Sequence, residues 1–242
     1  MLGPLLFLIY INDLHFAIKN SKVYHFADDT NLLNISNSAK LLKKLVNADL
    51  KILYNWLLAN KISLNCDKTE IIFFHKPGEK VPDIKIKMNG HRIFPSKHIK
   101  YLGIFLDETL NGGFHCKNLV TKLKRANGML SKARHYIHFD DLKNLYYAIF
   151  SSHLIYGSQI WGQIVNTFNN KVFNLQNRAL RIISFSDFRS ASNPLYATLK
   201  VLKLKDLIAL QNCLFVHDTL SKSSPICFHD YFKQTRVIHS IN

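Results

Sequence analysis

Val23-Tyr24-His25-Phe26-Ala27-Asp28-Asp29-Thr30-Asn31-Leu32-Leu33 decides how the chain is read. An apolar run (Val23, Tyr24, Phe26) and a second one (Leu32, Leu33, Ile35) each read as a short strand, so Asp28 and Asp29 fall at a hairpin turn with both side chains near one point. Packing does not account for that arrangement. Like charges side by side repel and are best tolerated where a divalent cation offsets them. Hard oxygen ligands at a strand turn suit Mg²⁺, which prefers a few carboxylates plus substrate phosphates to a full protein cage. The other reading of the same residues is an exposed turn, where Asp is common for local reasons alone.

The rest of the chain sets the context. At 242 residues it holds one large domain or two small ones, and a hydrophobic share of 48% is ample for a core. Lys and Arg number 32 against 16 Asp and Glu, and a surplus of 32 − 16 = +16 points to a polyanionic partner, nucleic acid ahead of membrane. A generic basic surface is the alternative. The four cysteines (Cys66, Cys116, Cys213, Cys227) are widely spaced without a CxxC, which implies no disulfide framework and fits a reducing compartment. Leu2 to Ile11 is strongly apolar but too short to span a bilayer, and it has no basic leader. It reads as the start of a buried helix, Leu5 to Leu14, opened by Pro4 as a first-turn residue.

Beyond the hairpin, Ser38 to Ala59 reads as a long amphipathic helix with Leu42, Leu45, Val46, Leu50, Leu53, Trp56 and Leu57 on one stripe. Strands are expected over Thr69–Phe74 and Ile84–Met88, the second ending in the two-residue turn Asn89-Gly90. Ile99 to Leu106 gives a strand pair or tight turn around Gly103. After Asn111-Gly112-Gly113 the pattern becomes helical: Cys116–Tyr136, Asp140–Tyr156, Asn170–Phe185, a helix opened by Asn193-Pro194, and Leu204–Leu220. Cys213, His217, Cys227 and His229 together could make a four-ligand zinc site, although incidental Cys and His residues explain the spacing as well.

Leu2-Gly3-Pro4-Leu5-Leu6-Phe7, Tyr10-Ile11-Asn12-Asp13-Leu14, Phe26-Ala27-Asp28-Asp29, Leu64-Asn65-Cys66-Asp67-Lys68-Thr69 and Tyr101-Leu102-Gly103 follow one another. The series resembles a reverse transcriptase, and more narrowly the polymerase of LINE-like, non-long-terminal-repeat retrotransposons of the jockey-like kind. Phe-Ala-Asp-Asp alone would say little; in this order it is specific. The resemblance covers most of the chain and fades past about Phe185.

The resemblance implies an α+β fold. Residues 1–110 would be a partial polymerase palm (an antiparallel sheet with packed helices), 111–190 an α-helical thumb, and 191–242 a helical C-terminal extension. It implies a fragment of an RNA-directed DNA polymerase working by two-metal-ion nucleotidyl transfer. Asp28 and Asp29 would be catalytic and hold Mg²⁺ or Mn²⁺. Lys68 would lie near the triphosphate as a general acid or point charge, or be a solvated lysine at a strand start. Tyr101, Leu102 and Gly103 would grip the primer end. Lys117, Lys122, Lys124, Arg125, Lys132 and Arg134 would contact phosphates of the duplex, or form a merely solvated basic face. The implied partners are an RNA template, a DNA primer and deoxynucleoside triphosphates, with no membrane; oligomeric state stays open. The family works on chromosomal DNA, so an intracellular, nuclear location is implied, without a visible targeting signal.

The family's first palm strand, with its aspartate, precedes the LGPLLF helix, and here only Met1 and Leu2 do so. Asp13 closes the helix after that strand and cannot replace its carboxylate. The chain is therefore expected to lack polymerase activity alone, and an uncovered sheet edge and apolar surface are expected with it. The alternative is a non-catalytic, basic nucleic-acid-binding remnant.

Overall fold

A computed structural model of the chain describes residues 2–79, 81, 84–163 and 166–232. It is a mixed fold of helices and small antiparallel sheets, divided into two compact units. One comprises Met1–Ile99 with Asp107–Leu110, the other Lys100–Leu106 with Asn111–Asn242. Among the described residues no helix is long and apolar enough to cross a membrane.

The first unit opens with α1 (Gly3–Ile11) and α2 (Leu14–Ala17). Strands β1 (Lys22–Phe26) and β2 (Asp29–Leu33) form an antiparallel hairpin, and α3 (Ala39–Ala59) follows. The Ser38 side chain accepts from the Leu41 amide and opens α3, relieving one of the unpaired N–H groups of a helix start. Strands β3 (Ile86–Met88) and β4 (His91–Ile93) pair across Asn89-Gly90, both at positive φ (46° and 79°), as a tight two-residue turn requires. Asn47 of α3 takes the Lys87 amide at 2.8 Å and so ties β3 to the helix. The core is Ile11, Leu14, Ile18, Leu50, Leu53, Leu57, Ile84, Ile86 and Met88. Fully burying one such side chain contributes about 1.5–3 kcal/mol.

Three expectations change here. The first helix is formed but mostly exposed: only Ile11 of α1 is fully buried, Phe7 is half-buried, and Ile9 is 66% exposed. The helix is apolar on every side, so packing Phe7 and Ile11 inward leaves Leu5, Leu6, Leu8 and Tyr10 facing out. Thr69–Phe74 is not a strand; it makes one parallel bridge, Ile71 to Pro95. Proline has no N–H to extend a ladder, and the next amide, Ser96, donates to the Ile71 carbonyl at 2.7 Å. The single antiparallel sheet expected for a palm is not formed among the described residues, whose strands pair as separate two-stranded ribbons.

The third ribbon is β5 (His98–Tyr101) with β6 (Ile104–Asp107). Its tip, Lys100–Leu106, belongs to the second unit. There, α4 (Gly113–Ala133) starts from Gly112 at φ 64°, with the Asn111 side chain accepting from the Gly113 amide at 2.8 Å. The helix expected over Asp140–Tyr156 is interrupted: α5 (Phe139–Tyr146) passes through a π-turn at Tyr147–Ser151 into α6 (Ser152–Ile155). Then come α7 (Ser158–Trp161), α8 (Asn166–Ile183), α9 (Asn193–Leu199) and α10 (Leu204–Leu220).

One core runs through this unit. Leu119, Leu123, Leu130, Tyr146, Phe150, Trp161, Leu180 and Ile183 share it with Tyr196, Leu199, Leu204 and Leu207. Buried Gln176 serves as its polar joint, accepting from the Leu204 amide and the Tyr196 hydroxyl and donating to the Leu202 carbonyl. Burial pushes the Tyr146 phenol up to about 12. Residues 233–242 lie outside the described residues.

Candidate active site

The β1–β2 register runs from Lys22 opposite Leu33 to Phe26 opposite Asp29, leaving Ala27 and Asp28 as the turn. Ala27 sits at φ 52°, a left-handed conformation that costs a non-glycine residue energy and needs a surrounding structure to hold it. Pairing with Phe26 fixes the backbone of Asp29. Both aspartates are exposed. Val23, His25, Thr30 and Leu32 share the inner face, since opposed residues of an antiparallel pair point to the same side. Phe26 and Tyr24 stand exposed on the other. The His25 ring Nδ1 lies 3.1 Å from the Thr30 hydroxyl; burial first, and His15 second, lower its basicity.

Two carboxylates at adjacent positions of an exposed turn are hard oxygen donors open to solvent. That donor set fits a hydrated Mg²⁺ or Mn²⁺, which keeps several waters and needs few protein ligands. No group of three or more His, Cys, Asp or Glu side chains suited to a metal ion occurs among the described residues. Lys68 is exposed at the end of a 3₁₀ turn, Cys66–Lys68, its amide donating to Asn65. The four zinc candidates do not form a metal-binding group. Cys213 and His217 are exposed on α10, while a ring nitrogen of His229 lies 2.7 Å from the Ser224 carbonyl.

Tyr101, Leu102 and Gly103 form the tip of the β5–β6 hairpin, with Leu102 at φ 44° and Gly103 at φ 83°. The Tyr156 hydroxyl donates to the Leu102 carbonyl. Deeper in the turn, the Phe105 amide donates to His115 Nδ1 at 3.3 Å. That bond requires an unprotonated Nδ1, and burial, then Lys122, lowers the basicity of His115. A small cleft here is lined by Gly103, His115, Asn118, Lys122, His153 and Tyr156.

The α4 helix sorts its cations. Lys117, Lys124, Arg125 and Lys132 are exposed on the side away from Leu119, Leu123, Ala126 and Leu130. Exposed Lys122 instead borders the cleft. Arg134 caps the helix end, with its guanidinium 5.1 Å from the centre of the Phe185 ring. Asp49, Tyr156, His115 and His153 are absent from the sequence reading. Only Asp49 leaves a trace there, as a carboxylate inside the Val46–Leu50–Leu53 stripe.

Residues 1–106 match the family described as reverse transcriptase (RNA-dependent DNA polymerase), and the exposed Asp28-Asp29 turn lies within the matched segment. The chain is similar to the RNA-directed DNA polymerase from mobile element jockey of Drosophila melanogaster, 27% identical over 223 residues, 88% of this chain and 24% of that protein. The protein of the same name from Drosophila funebris is 26% identical over 219 residues, 86% and 24% of the two chains. The probable RNA-directed DNA polymerase from transposon BS of Drosophila melanogaster is 25% identical over 227 residues, 86% and 24%. The chain spans about a quarter of the length of these curated relatives. No solved structure matches.

Proposed function

We propose that this chain is part of an RNA-directed DNA polymerase of a LINE-like retrotransposon. In this reading the first unit carries the polymerase palm's metal-binding turn and the second acts as the thumb. The observation that carries the reading is the Ala27-Asp28-Asp29 turn, two solvent-facing carboxylates on a hairpin inside the segment that matches reverse transcriptases. Asp28 and Asp29 would hold Mg²⁺ or Mn²⁺, and such an ion, when bound, supplies Lewis-acid stabilisation of the charge on a transferring phosphoryl group. Exposed Lys68 is free to meet a triphosphate as a point charge. The turn at Tyr101-Leu102-Gly103 presents backbone to a primer end. Lys117, Lys124, Arg125 and Lys132 give an RNA–DNA duplex a phosphate-contacting face, whose affinity falls with salt and carries little sequence choice. A nuclear site of action goes with that substrate.

A second reading, a non-catalytic nucleic-acid-binding protein, is favoured by Asp28 and Asp29 lacking a third ligating side chain among the described residues. Both are separated by one set of assays on the chain: extension of a DNA primer on an RNA template with Mg²⁺ or Mn²⁺, and duplex binding across salt concentration. We expect salt-sensitive binding without extension. Extension abolished by Asp28→Ala would give the chain polymerase activity of its own. Binding indifferent to salt would remove the thumb assignment.

A further inference from the structure

We infer that Asp49 is a positioning residue for the Asp28-Asp29 turn, acting from the opposite end of the hairpin; what the turn does rests on the function proposed above. Asp49 lies mid-helix in α3 and is fully buried. A buried carboxylate is costly unless its oxygens are hydrogen-bonded. Oδ1 accepts from the Asn20 side-chain amide at 2.8 Å and its backbone amide at 3.3 Å. Oδ2 accepts from the same backbone amide at 3.1 Å and from the Ser21 hydroxyl. The Ser21 oxygen in turn accepts from the Asn34 side chain at 2.7 Å.

The positions of these partners give the arrangement its meaning. Asn20 and Ser21 immediately precede β1, and Asn34 immediately follows β2. One carboxylate thus gathers both strands at the open end of the hairpin and fastens them to α3. The turn cannot supply its own orientation, because Phe26 through Asp29 are exposed. A two-stranded hairpin alone is marginally stable. Val23 and Leu32 pack against the core, but apolar contact is non-directional, whereas hydrogen bonds to a fixed carboxylate set an angle. The aim of the two aspartates is therefore decided at Asp49.

Asp49→Asn tests this with almost no change in volume. One carboxylate oxygen becomes an NH₂ that faces donors and cannot accept. The probes are amide hydrogen exchange along the chain and Mn²⁺-induced broadening of the Asp28 and Asp29 amide signals. We expect hairpin amides from Tyr24 to Asn31 to exchange on the order of tenfold faster, the size expected for losing a hydrogen bond to a charged group. Amides of Leu50 and Leu53 in α3 keep their rate, and Mn²⁺ binds the turn more weakly. Unchanged hairpin exchange overturns the inference. So does equal acceleration of hairpin and α3, which would make Asp49 a general stabiliser of the unit. If wild-type Mn²⁺ does not reach Asp28 and Asp29 while the selective acceleration holds, the clamp stands and the functional reading of the turn falls. Should Asp49→Asn fail to fold, Ser21→Ala decides: it spares the Asn20 bonds but cuts the link to Asn34, so Leu32 and Leu33 exchange faster, or the clamp is refuted.

Discussion

The Tyr156 hydroxyl donates to the Leu102 carbonyl, and the neighbouring Gly103 lies so close to that ring that a Cβ would sit 3.2 Å from its Cε1. Tyr156→Phe removes the donor and keeps the ring, so a loss of about 0.5–1.5 kcal/mol is expected. Gly103→Ala adds left-handed strain at φ 83° to the close contact and should cost about 1–3 kcal/mol. Urea unfolding followed by Trp161 fluorescence reads both, with Trp56 replaced by Phe so that the first unit is silent.

At the other hairpin little change in stability is expected. Asp28→Asn combined with Asp29→Asn removes two adjacent, exposed charges that no packing requires. Stability should stay within about 0.5 kcal/mol of the parent, as surface changes do. Mn²⁺ binding, measured by calorimetry, should be lost. A melting temperature that falls together with Mn²⁺ binding would assign the carboxylates a structural role instead.

The cations of α4 are predicted to divide into two behaviours. Replacing Lys117, Lys124, Arg125 or Lys132 by Ala should lower the slope of log affinity for duplex against log salt by about 1 each. Arg134→Ala should leave that slope alone. It loses the contact with the Phe185 ring, and the second unit weakens by about 0.5–1 kcal/mol. Anisotropy titrations at several salt concentrations, paired with urea unfolding, separate the groups.

Acid should weaken the second unit through His115 and His153. Burial, and then Lys122, hold both below the ordinary 6.5 in the fold. Above that value they are neutral folded or unfolded and cost nothing. As pH falls below 6.5 the unfolded chain takes up protons that the folded chain does not, so stability declines until the lowered folded values are passed. Protonation of His115 also ends its acceptance from Phe105. Urea midpoints between pH 8 and pH 5 should show the decline, and His115→Asn should shrink it.

Local chemistry was readable from the sequence, and distant partnership was not. Asn89-Gly90 announced its turn because Asn and Gly are the residues that take positive φ most readily in a two-residue hairpin turn. The stripe of α3 was clear from spacing, and the Asp28-Asp29 turn from the apolar runs beside it. Asp49 was passed over because helical periodicity places it inward without saying what donors would meet it; Asn20 and Ser21 lie 29 and 28 residues away. Tyr156 and His115 were invisible for the same reason. The exposure of α1 depends on what the rest of the unit leaves uncovered, and an evenly apolar helix gives no face to read. The apolar run at Thr69–Phe74 looked like a strand because nothing local revealed that its neighbour would be Pro95.

The tip of the β5–β6 hairpin, residues 100–106, is built into the second unit although the chain on both sides of it belongs to the first. Ile104 from that tip is buried, and an added Cβ on Gly157 would fall 2.4 Å from it. The second unit therefore draws part of its interior from chain that precedes Asn111. A recombination or proteolytic break at Asn111 would leave the helical unit without a piece of its own interior.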